Sequence, residues 1–478
     1  MRKYIILLMA FLMLTGCSSK NSETEIAQTE PLAAITQPAE TEPVWSPYAG
    51  SGKGYVYFHS QERDKNWEQD IIYMADSYLD NFHTLTRFPS RFEYIDHVEY
   101  SDVFYNPEHR QTFIDEINGL IFKIPELSDT EILFALQKLV ATLNDAHTSI
   151  SIPLDEYIPI GFEVFYENGY PVYRASYLPV KYEYAIFAAL EGINDFSVYQ
   201  VIDRMKPYLS YENKYYLASL LSGSGYPGYF ACTDLLLIAG IIQNPDDPVY
   251  YHLRNSAGLK LTLKLESYHS SEFDQLEIVG CTHELTYPDI YGESETQFYH
   301  YRMIPESDMM YVRFNEFTPM PNYPVLNFGN DILREIRDAG GVKKLVVDLR
   351  NNPGGSQTLG FPEFITVLQR LAVDQIYVLI DHDTFSCAII MASRIKVSIP
   401  ETILVGTPAG QPPNFYAGMF DGDYTMPNSE VICRVPTAYY FMMPDYEYDA
   451  LMPDICIFPT IEDFANGVDT VLEAVKAH

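Results

Sequence analysis

From Met309 onward the chain alternates short apolar runs with stretches of helical spacing, and this alternation constrains the fold more than any other feature. Met310–Phe314, Lys344–Leu349, Ile376–Ile380 and Thr402–Val405 read as strands. Leu326–Asp338, Gly360–Arg370 and Ser386 to about Lys396 read as the helices between them. Strands separated by helices of about 10–15 residues build βαβ units and a largely parallel sheet. Reactive groups on such a sheet belong at the carboxyl ends of its strands. Two polar turns fall there, Asp348-Leu349-Arg350-Asn351-Asn352-Pro353-Gly354-Gly355 and Asp381 to Ser386.

Upstream the pattern differs. Trp67, Ile71, Met74, Leu79 and Phe82, then Phe113, Ile117 and Ile121, then Ile132, Leu136, Leu139 and Leu143 recur at helical spacing. Ser128 with Glu131 three positions later predicts a capping box for the last of these helices. That helix is expected to end near Asn144, leaving His147 on the loop beyond it, where functional residues concentrate. From Ser149 to about Pro305 short alternating segments predict strands: Phe162–Phe165, Pro171–Ala175, Leu259–Leu265 and Gln275–Val279. The order strand, Gly192-Ile193-Asn194, helix is similar to the middle of a PDZ-type module, although any small α+β insert would give it.

The N-terminus reads as an address. Arg2 and Lys3 precede an apolar stretch from Tyr4 to Leu14, followed by Leu14-Thr15-Gly16-Cys17, a secretory signal too short for a stable membrane span. Cys17 at the cut site resembles the lipidated cysteine of bacterial lipoproteins; the alternative is an ordinary signal with an incidental cysteine. Ser18 to about Pro47 is polar and Pro-rich and reads as a tether. The formal net charge of −34 argues against nucleic acid and against docking on an anionic lipid surface. The cysteines beyond Cys17 (Cys232, Cys281, Cys387, Cys433 and Cys456) are odd in number, scattered and without a C-x-x-C pair. Neither a zinc site nor a disulfide framework is expected of them.

Three strings carry chemistry. Ser386, in Thr384-Phe385-Ser386-Cys387-Ala388, stands at a strand-to-helix junction, where it either caps the helix or presents a hydroxyl beside unpaired backbone N–H groups. Gly354-Gly355 either makes a tight turn or lets a backbone amide approach a substrate carbonyl. His147, in Asn144-Asp145-Ala146-His147-Thr148, is either structural or a base of suitable pKa near neutrality.

Together, the Asp348–Gly355 string, the Thr384–Ala388 string and Val405-Gly406-Thr407-Pro408-Ala409-Gly410 resemble the core of the C-terminal-processing (tail-specific) serine peptidases and their tricorn-core-like relatives. The resemblance implies Ser386 as nucleophile, with an oxyanion hole from Gly354 or Gly355 and the amide of Cys387. It implies an α/β, mixed α+β multidomain fold. The parts are an N-terminal helical domain, a small PDZ-like α+β segment and a βαβ-type peptidase core similar to the ClpP/crotonase-like core. Expected boundaries are 1–16 for the signal, 17–53 for the lipidated cysteine and tether, 54–148 for the helical domain, 149–305 for the insert and 306–478 for the core.

One departure bears on mechanism. Ser–Lys members of the family carry a lysine 25 positions after the nucleophile, and Gln411 stands there. An amide is no general base. The tricorn-like branch uses an upstream histidine, which implies His147. It also places a carboxylate late in the chain to orient the imidazole. Thr437 falls near that place, with Asp445, Glu447 and Glu430 as neighbouring alternatives.

The expectation is therefore a lipid-anchored, outward-facing serine endopeptidase of the bacterial cell membrane, acting on peptide or protein substrates through Ser386 and His147. No metal or cofactor is expected, and the membrane is met only through the lipid. Two alternatives stay open: a catalytically inactive peptide-binding lipoprotein on the same fold, and a hydrolase of some other ester or amide.

Overall fold

The alternating run becomes a six-stranded sheet in the protein's computed structural model, which describes residues 62–86, 93–95, 104–223, 228–282, 286–287, 297–418 and 423–478. The expected signal, Cys17 and tether lie outside the described residues. In spatial order the strands are Tyr299–Ile304, Met309–Phe314, Val342–Asp348, Val373–Ile380, Ile403–Gly406 and Ile455–Cys456. The first pairs antiparallel with the second, and all the others are parallel.

Both faces of this sheet are covered, which is why its strands read as continuous apolar runs. Met310, Val312, Leu345, Val347, Ile376 and Val378 face the helices Val325–Asp338, Phe361–Leu368 and Cys387–Ser398. Their alternates Tyr311, Val346, Tyr377 and Leu379 pack against Phe464, Val471, Leu472 and Val475 of the two C-terminal helices, Ile461–Ala465 and Thr470–Ala477. Tyr299–Ile304 and Ile455–Cys456, the two edge strands, were not legible as strands in the sequence.

The upstream helices are Arg63–Asn81, Pro107–Lys123 and Asp129–Ala141. Ser128 and Glu131 form the expected capping box. The last helix ends at Ala141, three residues short of the expected Asn144, which takes a positive φ of 53° and turns the chain out of helical geometry. The core of these helices also takes in Tyr424, Met426, Val431, Cys433 and Val435 from late in the chain. Asp423–Thr425 and Ile432–Arg434 form a hairpin, and the latter pairs with Ser149–Ile150 just beyond His147. Tyr78 donates its hydroxyl to the Arg434 carbonyl at 2.9 Å. The histidine loop is thereby stitched to the hairpin 423–434.

Between the two lies a seven-stranded antiparallel sheet. Gly161–Glu167 and Tyr170–Pro179 make a hairpin about Asn168 and Gly169, both at positive φ. Ala189–Ile193 leads through Asn194-Asp195 to the helix Val198–Met205, capped by Ser197 and Gln200. Two further helices, Lys214–Ser222 and Thr233–Ile238, belong to this region. Among the described residues no helix is long and apolar enough to cross a membrane.

Candidate active site

Parallel pairing places the two polar turns side by side at the carboxyl edge of the sheet, because Asp348 is in register with Leu379 and Ile380 with Gly406. Hydrogen bonds then zip the turns together. Asn351 N–H donates to Asp381 at 3.0 Å, the Thr384 hydroxyl to the Leu349 carbonyl at 2.8 Å, and Phe385 N–H to the Asn352 carbonyl at 3.0 Å. Beneath them Arg350 bridges Asp348 and Asp469 in a buried ion pair. Burial alone would raise the Asp348 pKa, but Arg350 and Arg313 hold its carboxyl down at about 2.

Ser386 is bent into φ +53°, ψ −119°, a conformation that residues with a Cβ rarely adopt. Backbone of this kind costs about 1–3 kcal/mol and persists only where its surroundings over-determine it. Ser386 occupies the cap position of Cys387–Ser398 and makes no side-chain cap hydrogen bond. Its hydroxyl instead meets Nε2 of His147 at 3.0 Å, across 239 residues of chain.

His147 is held from several sides. Its N–H donates to Asp145 Oδ1 at 2.8 Å, which fixes the loop. Its ring lies between Phe385, with centroids 4.8 Å apart, and Phe415 at 5.7 Å. Tyr216 stacks on the far side of Phe385 and Tyr440 beyond Phe415, so five rings from five parts of the chain form one column. Burial lowers the His147 pKa to about 4; a hydrogen bond to the Tyr416 carbonyl works against that shift and the charge of Arg434 adds to it. Because Nε2 faces the serine, that carbonyl sits with Nδ1, which keeps the proton on Nδ1 and the lone pair on Nε2. This is the tautomer that can accept from Ser386.

Gln411, fully buried, touches Ser386, His147 and Glu212. Its Oε1 accepts the Ser386 N–H at 2.8 Å, which sets the orientation of the amide. Nε2 then points at both oxygens of Glu212, each at 2.8 Å, and lies 3.3 Å from His147 Nδ1. Glu212 precedes the helix Lys214–Ser222 of the inserted region. The next residue, Asn213, anchors that loop by donating to the Ala409, Gly410 and Asp449 carbonyls at 3.3, 3.0 and 2.8 Å. Burial and the charge of Asp145 push Glu212 well above the usual carboxylate range. Burial likewise lifts Asp145 to about 7, against the hydrogen bonds from His147 and Thr148. Asp145, His147 and Glu212 each offer a donor atom, all within 4.8 Å of one another.

On the other side of Ser386, Gly354 (φ +101°) leaves room that only glycine can. A Cβ there would stand 2.7 Å from the Ser386 Cβ and 2.9 Å from the Cys387 nitrogen. Its own N–H is taken by Asn352 Oδ1 at 2.9 Å. The Gly355 and Cys387 amides have no hydrogen-bond partner among the described residues, and Cys387 is the first residue of its helix, where N–H groups lack intrahelical acceptors. The Cys387 thiol ties the turn by donating to the Gly355 carbonyl at 2.9 Å.

The structure thus brings Ser386, His147, Gly354, Gly355 and Cys387 together. It leaves Asp445, Glu447 and Glu430 exposed, with no hydrogen bond to His147. Thr437 is buried before the strand Ala438–Phe441, its N–H on the Ala417 carbonyl. The groups found beside Nδ1 are the Tyr416 carbonyl and the Gln411–Glu212 pair, which sequence reasoning missed. A backbone carbonyl has no residue signature, and Glu212 lies in an unremarkable Tyr-Glu-Asn string of the insert. Only the unexplained glutamine at position 411 pointed here.

No protein-family model matches the chain, and no curated protein matches it. The fold is similar to that of mature CPAF, at 14% identity and TM-score 0.55, covering 86% of this chain and 96% of that one. For CPAF complexed with lactacystin the values are 13%, 0.53, 86% and 98%. The tricorn protease is matched at 12% identity and TM-score 0.39, over 87% of this chain and 36% of that one. What is shared at these identities is the fold, and it is of the α/β multidomain kind expected from the three strings.

Proposed function

We propose that the chain is a serine endopeptidase in which His147 draws the proton from Ser386. The observation that carries this reading is the 3.0 Å approach of His147 Nε2 to Ser386 Oγ, made by a serine held in strained backbone geometry. Functional sites are where such strain is retained. The hydroxyl attacks a substrate carbonyl as its proton passes to Nε2. The oxyanion that forms meets the N–H groups of Gly355 and Cys387, the second at the positive end of a helix. His147 then returns the proton to the leaving amine, and water resolves the acyl-enzyme by the same route reversed. The Tyr416 carbonyl orients the imidazole, and Glu212, steadied by Gln411, supplies the nearby carboxyl group that the late part of the chain does not. Cys17 carries a lipid that holds the enzyme on the outer face of the membrane, and its substrate is an extended peptide that adds to a sheet edge.

A fluorophosphonate probe tests the chemistry. Ser386 becomes covalently labelled, and labelling is lost in Ser386→Ala and in His147→Ala. A well-folded protein that takes no Ser386-dependent label is instead a peptide binder on a peptidase-type fold. Comparing a peptide panel with simple esters separates peptidase from other hydrolase. Release of the protein from membranes by Cys17→Ala checks the anchor.

A further inference from the structure

We propose that Asp145, His147 and Glu212 form a divalent-cation site, for zinc or a similar transition metal, whose occupation switches off the Ser386–His147 pair. The proposal rests on the peptidase reading for its consequence but not for the binding itself. One imidazole nitrogen and two carboxylate oxygens, mutually within 4.8 Å, are the donor set of an open three-residue site that leaves a fourth position for water. Tetrahedral coordination at about 2.0–2.2 Å places ligand atoms roughly 3.4 Å apart, so modest side-chain rotations close it.

A second observation points to a ligand. Asp145 is 97% buried (3% exposed), and its Oδ2 has no hydrogen-bond partner among the described residues. Thr148 lies close enough to steady the charge, but no hydrogen bond of ordinary length reaches that oxygen. Neither Asp145 nor Glu212 has an ion-pair partner among the described lysines and arginines. The cation whose charge is felt here, Arg434, is paired with Asp423 at 3.3 Å. Two acids and an orphaned carboxylate oxygen gathered round a ring nitrogen, with no basic side chain bonded to them, make a place for a positive ion.

The geometry also says what the ion does. Nε2 faces Ser386, so the nitrogen on the Glu212 side, 3.3 Å from the Gln411 amide, is Nδ1. A metal there takes the Nδ1 lone pair and displaces both the Tyr416 carbonyl and the Gln411 Nε2 contact, while Oε1 stays on the Ser386 N–H. The proton that was on Nδ1 is exchanged through solvent for one on Nε2, and the proton that the buried Glu212 carboxyl holds is released to solvent as its carboxylate binds the ion. Nε2–H then donates to the serine oxygen and no longer accepts from it, so the hydroxyl has no base.

Equilibrium dialysis of the full-length protein against zinc, alongside fluorophosphonate labelling, tests this. Ser386→Ala is expected to bind one zinc equivalent as the native chain does. Glu212→Gln and Asp145→Asn, checked for folding by circular dichroism, are expected to weaken that equivalent about tenfold or more. Zinc at saturation suppresses labelling of the native chain, EDTA restores it, and Glu212→Gln keeps its own zinc-free rate when zinc is added. Equal zinc affinity in the native chain and both variants, or unchanged labelling of the zinc-loaded native chain, overturns the proposal. If the native chain labels and binds no zinc, the site fails while the peptidase reading stands. If Ser386→Ala binds zinc through these residues and the native chain never labels, the metal site survives and the peptidase reading falls.

Discussion

Gly354→Ala probes the site most sharply, because the contacts of the added methyl can be stated. Its Cβ would lie 2.7 Å from the Ser386 Cβ, 2.9 Å from the Cys387 nitrogen and 3.0 Å from the Phe385 carbonyl, where ordinary contact begins at 3.4 Å. The two turns must separate by roughly 0.7 Å, and neither has slack: Phe385 N–H is bonded to Asn352 and Thr384 to Leu349. A misplacement near 1 Å costs about 100-fold in a positioned reaction, and loss of one oxyanion donor about 100- to 1000-fold, or roughly 3–4 kcal/mol. We therefore expect kcat/KM for a peptide to fall by about 100-fold or more, with a parallel drop in the fluorophosphonate labelling rate. Strain from φ +101° adds about 1 kcal/mol of destabilisation, to be read from urea denaturation. A variant that labels within about threefold of the native rate would show that the Gly-Gly turn does not border the reacting centre, and the oxyanion assignment would be refuted.

Three other outcomes follow from the same geometry. The base must be neutral in the free enzyme, and burial holds His147 at about 4, so kcat/KM should stay level through neutrality and fall about tenfold per pH unit only below about pH 4; an acid limb centred near 6.5 would contradict the buried setting. Gln411→Lys placed on His147→Ala should not restore labelling, because Glu212 would accept the new ammonium group and keep it protonated; recovered labelling would refute the role given to Glu212. Asn213→Ala removes three bonds to the core carbonyls and the cap of Lys214–Ser222, and should cost about 2–3 kcal/mol in denaturant unfolding. The same change should lower kcat/KM by loosening the adjacent Glu212; unaltered kinetics would mean that the insert loop is not part of the centre.

Several features were legible without the fold because they depend on neighbours a few positions apart. The strands of the parallel sheet announce themselves as apolar runs, since each is buried on both faces, and the Ser128–Glu131 box needs only a spacing of three. Ser386 and His147 were identifiable by residue type and by flanking strings, and the two polar turns had to fall at strand ends. Their meeting was expected from the resemblance alone, and no local pattern shows how it is made. It is made by the sheet register that sets Asp348 beside Leu379, and by the hairpin 423–434 that returns to the helices before His147. The orienting groups were less visible still. Tyr416 acts through a carbonyl that every residue has, and Glu212 arrives from an insert whose own pattern speaks only of strands and turns. Local sequence determined the candidate reactive groups and the elements that carry them; tertiary structure decided which nitrogen faces the serine and which carboxyl stands beside the ring, because burial and distance are properties of packed neighbours that lie hundreds of residues apart along the chain.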